Sequence, residues 1–226
     1  LEMPSSTSNV SIAYRKLKQA ILENRLGPGT QVLEQEAATQ LEMSRTPVRE
    51  AMLMLQKDGL VEMRSRQGMR VLPITVGDIS EIYEILEVVE GLAIRKLAEK
   101  PISEKQARAL EDSVTLMDLS LERGDLSVWA SADKKFHEDV VKFSGNVHLE
   151  TVFLQLWDRS QRARNMLLKA HGAPVNSAQE HWELLKFIKE GKAAEAVEFQ
   201  KSLRAEAAEQ ICKMIFDVMG GMVPSN

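Results

Sequence analysis

Ser44-Arg45-Thr46-Pro47-Val48-Arg49-Glu50 is the stretch that decides the fold of this chain. Serine is favoured at helix N-caps, and proline is tolerated in a helix's first turn, where its missing N–H costs nothing. The spacing predicts a helix over residues 46–57, burying Val48, Ala51, Met52 and Leu55 and leaving Arg45 and Arg49 on a shared outer face. A shorter apolar helix over residues 34–41 precedes it, and Glu42, Met43 and Ser44 make the turn between the two. Two helices joined by so tight a turn read as a helix-turn-helix, whose second helix meets bases and phosphates with its N-terminal end. Gly59 ends that helix.

Outward from this stretch, residues 60–64 and 69–72 alternate apolar and polar side chains around Ser65-Arg66-Gln67-Gly68. That pattern predicts a β-hairpin with Gly68 at a permissive turn position. Arg64, Arg66 and Arg70 fall on or near this wing. A basic edge on a surface helix is common, but here turn, cap, proline and basic wing coincide, which is the pattern of a winged helix-turn-helix. Residues 31–33 are expected to add a short strand. An amphipathic helix over residues 11–24, with Ile12, Leu17, Ala20 and Ile21 on its apolar side, ends at Leu26-Gly27-Pro28-Gly29 and packs behind the reader. The Ser-rich residues 1–9 read as a mobile N-terminus.

The whole chain has 226 residues, 44% of them hydrophobic, which is enough for two cored domains. Residues 10–72 carry ten Lys or Arg against seven Asp or Glu, whereas residues 73–226 carry nineteen against twenty-five. Only the N-terminal third has the sign that a nucleic acid prefers, and an acidic remainder discourages unspecific sticking. No run approaches the roughly 20 apolar residues of a membrane span, and no secretory pattern opens the chain. The one cysteine, Cys212, excludes an internal disulfide; set among Ile211, Met214 and Ile215, it reads as a buried thiol. Together these features predict a cytoplasmic protein with no membrane partner.

Residues 73–77 read as a linker, and residues 78–226 as helix after helix, punctuated by Pro101, Gly124, Gly145-Asn146, Gly172 with Pro174, and Gly191. Helices are predicted at 78–99, 103–123, 126–143, 147–170, 177–190 and 193–219. The expected fold is therefore mainly α: an N-terminal winged helix-turn-helix followed by an all-helical antiparallel bundle of six or seven helices, able to enclose a pocket. Asp133 and His137, four residues apart, flank the stripe of Trp129, Ala132, Phe136 and Val140, and His181 is in register with Leu184, Leu185 and Ile188. Such groups can share a metal ion or merely hydrogen-bond, and a single histidine on an apolar face is more often a satisfied core residue. Arg159, Arg162 and Arg164 share the helix after Asn146. Three arginines on one helix are more often a solvated face, and Arg159 and Arg162 are the candidates for an effector contact. His148 and His171 sit at loop edges and are expected to face solvent.

Residues 33–71, with Ser44 to Ala51, Gly59-Leu60-Val61 and Gly68, resemble the winged helix-turn-helix of the GntR family of bacterial transcription regulators. The remainder resembles the helical effector domain of its FadR-like branch, the FCD type, through Asp133-Lys134-Lys135-Phe136-His137, Asn146, Glu180-His181 and Gly191. By position, the resemblance places DNA contacts on Arg45, Thr46, Pro47 and Arg49 and, at the wing, on Gln67 and Gly68. Arg45 and Arg49 would read guanine or phosphate through the guanidinium fork, and Gly68 would let the wing backbone enter the minor groove. The resemblance also implies a homodimer on a pseudo-palindromic operator, a small-molecule effector, and repression relieved by that effector.

Domains of the FCD type typically hold a divalent metal through one Asp and three His. Asp133, His137 and His181 match, while the third histidine position falls on Leu203, which helical periodicity also turns toward the core with Ala207, Ile211 and Val218. An arginine common after the Tyr-Glu pair is replaced by Leu86. The ligand set is thus short by one and an anion clamp is missing. This points to an effector less anionic, or bulkier and more apolar, than a small organic acid; alternatively a water or the effector itself completes the shell. Zn or Ni is the metal that imidazole ligands suit. Two other readings stay open: a DNA-binding regulator whose C-terminal domain is only a dimerisation scaffold, and a hydrolase in which a metal on Asp133, His137 and His181 activates water, although no further catalytic motif accompanies them.

Overall fold

The computed structural model describes residues 8–173 and 176–218. Pro174, residues 1–7 of the expected mobile N-terminus and the side chain of Val218 lie outside the described residues. The chain divides into two compact units, residues 1–74 and 75–226.

The first unit contains α1 (Asn9–Leu22), β1 (Gln31–Val32), α2 (Glu34–Leu41), α3 (Arg45–Lys57), β2 (Val61–Arg64) and β3 (Gly68–Val71). Helix α1 starts one residue after its N-cap Ser8, whose hydroxyl accepts from the Ser11 N–H, so Asn9 is helical. The turn between α2 and α3 is made by Glu42 in the left-handed conformation at φ 56°, with Met43 and Ser44 following. Ser44 takes the N-cap position of α3 with an extended backbone, but its hydroxyl makes no capping bond. Leu17, Ile21, Val48, Met52, Leu55, Val61, Met69 and Val71 close a single core between α1, α3 and the sheet. Tyr14 on α1 donates to Asp58 at the end of α3 and accepts from Lys18 Nζ at 2.8 Å. Burial, reinforced by the Asp58 carboxylate, pushes the Tyr14 hydroxyl up to about 12.

The three strands order as β1-β3-β2, both pairs antiparallel, with Arg64 opposite Gly68. The hairpin turn is therefore Ser65-Arg66-Gln67, one residue shorter than the sequence pattern predicts, and Gly68 is the first residue of β3. Gly68 is buried rather than open at the wing tip. It has φ 72°, and a Cβ there would run into the Val32 carbonyl oxygen and stand 2.9 Å from Leu33 Cα. The glycine is thus required by the β1–β3 contact inside the unit.

The second unit is six helices among the described residues: α4 (Val76–Ala98), α5 (Glu104–Arg123), α6 (Leu126–Phe143), α7 (Val147–His171), α8 (Ser177–Lys189) and α9 (Ala193–Val218). Helix α4 begins inside the stretch read as a linker. Thr75 and Asp78 exchange 3.0 Å bonds in a reciprocal capping box, which fixes Val76 and Gly77 in its first turn. Ser103 with Gln106 caps α5 in the same way, and Asp125 and Asn146 cap α6 and α7. Helix α4 is the centre of the bundle, with Ile79, Leu86, Ala93 and Ile94 fully buried and α6, α7, α8 and α9 all packed against it. No helix among the described residues is long and apolar enough to cross a membrane.

Gly68→Ala is expected to destabilise the first unit by roughly 2–4 kcal/mol, the sum of a left-handed backbone penalty and an overpacked contact. Urea unfolding followed by far-UV circular dichroism checks this; an unchanged midpoint would contradict the close approach.

Candidate DNA reader and buried effector-domain centre

At the start of α3, Arg45 and Arg49 project outward with side chains 64% and 65% exposed. Both lean on one carboxylate: Arg45 Nη2 lies 3.1 Å from Glu34 Oε2 and Arg49 Nε 3.6 Å from Glu34 Oε1. Such surface pairs hold little energy, so the guanidiniums are oriented without being locked. Thr46 is exposed beside them and Pro47 half-buried. On the wing, the Gln67 side chain is exposed while its carbonyl accepts from Gln31 Nε2 at 3.0 Å, which ties the tip to β1. Arg64 and Arg70 share Glu62, at 2.6 and 3.9 Å. Arg66 stands at the tip with φ 61° and no ion pair among the described residues. This sets a cation at the apex of the wing with Gly68 buried behind it, and its place in the middle of the turn was the available signal.

The second centre lies inside the helical unit. His137 Nε2 and His181 Nε2 are 3.2 Å apart, and each is close to Asp133 Oδ1, at 3.5 and 3.4 Å. All three residues are buried. The opposite ring nitrogens face outward acceptors: His181 Nδ1 donates to the Ser177 carbonyl at 2.6 Å, and His137 Nδ1 donates to the Glu90 carboxylate. Arg204 Nη2 also stands 3.1 Å from His137 Nδ1. With both Nδ1 atoms turned to these partners, neutral imidazoles that carry their proton on Nδ1 direct two Nε2 lone pairs and a carboxylate oxygen at one point. Such a set of ligand atoms suits a shared proton or a metal ion. Their separations match the edge of a tetrahedron, roughly 3.3 Å for metal–ligand distances of about 2.0 Å. Asp133, His137 and His181 therefore fit a metal ion at three positions and leave a fourth open.

Around this triangle the polar groups are arranged by charge. Glu90 on α4 is fully buried and accepts from Arg204 Nε at 2.6 Å and Gln200 Nε2 at 2.8 Å, besides His137. Burial alone would raise its pKa, but Arg204 and His137 outweigh it and hold the carboxyl below the usual range. Asp133 is held low in the same way, against burial, by Arg164, whose Nη2 is 2.5 Å from Oδ2. Arg164 also donates to the Tyr83 hydroxyl at 3.2 Å. Its guanidinium lies 4.3 Å from the Trp157 ring and that of Arg204 5.2 Å from it, so the indole is flanked by two cations.

These contacts revise three expectations. Leu203 is only half-buried; the inward residue of α9 is Arg204, one position on, with Gln200 and Ala196 a turn and two turns before it. A helix turns 100° per residue, so the one-position slip replaces an apolar core residue by a guanidinium. Leu86 is fully buried, and the arginine next to Tyr83 comes instead from α7, as Arg164. Arg159 reaches Asp78 at 3.6 Å and Arg162 is buried, and neither lines the cavity of about 560 Å³ that opens beside Asp133 and Arg164. Glu180, Glu206, Trp129 and Met214 do line it, and burial together with neighbouring Glu206 raises the Glu180 pKa. His148 and His171 are exposed, His171 at the cavity's edge. Cys212 is half-buried, which pushes its thiol pKa up.

A basic reader on a winged helix-turn-helix, joined in one chain to a helical unit with a polar cavity, defines a DNA-binding regulator. Residues 10–71 match the family described as bacterial regulatory proteins, gntR family, and residues 81–204 match the FCD domain. The chain belongs to the GntR family of bacterial transcription regulators and carries an FCD domain. It is 44% identical over 139 residues to an uncharacterized HTH-type transcriptional regulator in the TAR-I ttuE-ttuC' intergenic region of Agrobacterium vitis, covering 61% of this chain and 81% of that one. It is 30% identical over 135 residues to the HTH-type transcriptional repressor RspR of Escherichia coli (strain K12), covering 60% of this chain and 58% of RspR, less than two thirds of its length. A solved GntR transcriptional regulator from Rhodococcus sp. RHA1 superimposes with a TM-score of 0.77 at 22% identity, over 91% of this chain and 98% of that one, and so shares the fold. The family is one of regulators, which sets the hydrolase reading aside.

Arg204→Met strands the buried Glu90 charge and is expected to cost about 3–5 kcal/mol, whereas Glu90→Gln combined with Arg204→Met removes both charges and costs less than the single change. A double-mutant cycle by chemical denaturation checks the sign of the coupling; strict additivity would contradict the pairing.

Proposed function

We propose that this protein represses transcription as a homodimer and is released from its operator when a small-molecule effector enters the cavity beside Asp133. What carries the reading is the meeting of Asp133, His137 and His181 at one point, with Asp133 also lining the cavity of about 560 Å³, in a chain that also has an outward basic reader. Asp133, His137 and His181 would hold a divalent metal, Zn or Ni, by the nitrogen-rich character of the set. A bound metal supplies a Lewis-acidic fourth position for a ligand oxygen. Glu90 and the Ser177 carbonyl keep the two imidazoles in the metal-binding tautomer, and Arg164 holds the second oxygen of Asp133.

On DNA, Arg45 and Arg49 exchange Glu34 for bases or phosphates, with Thr46, Pro47, Gln67 and Arg66 alongside. Gly68 serves the wing from behind, by letting β1 approach. The effector shifts operator affinity only by as much as it prefers one state of the protein over the other. The homodimer is supported by helix α4, whose outer face leaves Ile85, Val88 and Leu92 exposed at 47%, 67% and 43% between Glu81 and Glu84 at one end and Arg95 and Lys96 at the other. Turned antiparallel on a second copy, that face sets opposite charges against each other and covers the apolar centre.

Gel-shift titration on an operator fragment selected from genomic DNA is expected to show Arg49→Ala and Arg45→Ala each weakening binding by about 1–3 kcal/mol; wild-type affinity in both would sink the reader. Elemental analysis of purified protein should find about one Zn or Ni per chain and a loss in His181→Ala, and a wild type that refuses both metals would remove the metal from the reading. Val88→Asp should yield monomers in sedimentation velocity, while an unchanged dimer would move the interface elsewhere.

A further inference from the structure

Arg64 and Arg70 on the wing share the Glu62 carboxylate, so that side of the sheet carries an acid among its cations. Arg66 differs: its side chain is exposed and makes neither an ion pair nor a hydrogen bond among the described residues. Its backbone is strained as well. The Gln67 N–H donates to the Arg64 carbonyl at 3.0 Å, which closes a four-residue turn with Arg66 in third place at φ 61°. Glycine or asparagine normally fills that place when φ is positive, because a longer L side chain crowds its own backbone there. An arginine that strains the turn and binds nothing in its own unit costs the fold stability that no local contact offsets. Outliers of this kind gather at functional sites.

Its position narrows what it can meet. Strand β2 packs on α3, and the Gln31 side-chain amide holds the Gln67 carbonyl, so the tip is tied to the element that carries Arg45 and Arg49. The major groove of DNA, about 12 Å wide, admits a helix, whereas the minor groove, about 6 Å wide, is too narrow for a hairpin but admits one extended guanidinium. With α3 in the major groove, the wing beside it lies over the phosphate backbone and the neighbouring minor groove. A·T tracts narrow that groove and strengthen its negative potential, which draws arginine in, while a guanine there puts an amino group in the way.

We infer that Arg66 is a specificity-determining residue that enters the minor groove beside the bases met by α3, and that the operator is A·T-rich at that flank. The inference rests on the reading of α3 as the major-groove reader. It separates the wing's cations by role: Arg64 and Arg70 stay with Glu62 on the sheet, and Arg66 alone reads base composition.

Gel-shift titrations of the full chain at one fixed salt concentration test this, with wild type and Arg66→Gly on an operator fragment selected from genomic DNA and on two derivatives of it. Hydroxyl-radical footprinting of the wild-type complex locates the minor-groove base pairs next to the α3 contacts; one derivative carries G·C and the other inosine·cytosine at those pairs. Inosine keeps guanine's major-groove edge and lacks its minor-groove amino group, so the two grooves are told apart. Wild type should bind the G·C derivative about tenfold more weakly than the selected fragment and regain most of that loss on inosine·cytosine. Arg66→Gly should bind the selected fragment about tenfold more weakly and distinguish the derivatives by less than about threefold, with a Tm equal to wild type or higher because the turn is relieved. Wild-type affinity in Arg66→Gly, a selected fragment with G·C at those pairs, a G·C penalty that survives in the variant or persists with inosine, or a lowered Tm would each overturn the inference. The reader is tested apart from it: a fragment that loses affinity with Arg45→Ala and Arg49→Ala yet ignores Arg66 leaves the major-groove reading standing and removes this one.

Discussion

A carboxylate with no access to water is the constraint around which the helical unit is built. Glu90 sits mid-helix on α4 with none of its surface exposed. Left alone, such a charge would cost several kcal/mol or take up a proton. Its partners come from two other helices, His137 from α6 and Gln200 with Arg204 from α9. Satisfying one side chain therefore fixes the rotation of α9 about its axis and the depth at which α6 lies on α4. It also orients a ring: with Nδ1 of His137 turned to Glu90, Nε2 faces His181 and Asp133.

Charge balance explains why this much polarity is tolerated in a core. The carboxylates of Glu90 and Asp133 are matched by the guanidiniums of Arg204 and Arg164, and the two cations flank the ring of Trp157. Trp157 in turn donates to Gln161 at 2.6 Å, and Gln161 to Asn165 at 2.9 Å. The network thus runs from the centre of α4 out to the cavity wall, which Gln161 and Asn165 line. A ligand that repositions Arg164 or Asp133 disturbs groups whose partners lie on α4 and α9, which is a physical route from cavity to bundle.

The DNA-binding unit works by different means. Its buried core is small and apolar, and apart from the half-buried Tyr14, Asp58 and Lys18 set between α1 and the end of α3, its ion pairs are at the surface, where they orient side chains rather than hold the fold. Glu34 gathers Arg45 and Arg49, and Glu62 gathers Arg64 and Arg70, so four of the cations are pre-positioned by two acids. The wing is placed by Val61, Met69 and Val71 in the core, by Gly68, which admits the Val32 carbonyl, and by the Gln31 side-chain amide, which donates to the Gln67 carbonyl.

By itself the sequence determined the winged helix-turn-helix and the order of helices, because caps, breakers and apolar periodicity act over one or two turns. The buried faces of α3 and α6 were legible for that reason, as was the convergence of Asp133 with His137, which one helix face dictates. His181 could be paired with them only through the family resemblance. The sequence did not determine what surrounds that triad. Glu90 sits within an otherwise ordinary amphipathic helix, and nothing local marks it as buried. On α9 the contrast is sharper: Leu203 is the better core residue by hydropathy, yet Arg204 faces inward because a carboxylate across the bundle needs it. Arg164 was indistinguishable from Arg159 and Arg162 until α7 was laid against Tyr83 and Asp133. Gly68 was read as a turn glycine and proved to be a contact glycine. In each case the deciding partner is tens of residues away, and only the tertiary structure brings the two charges, or the two backbones, together.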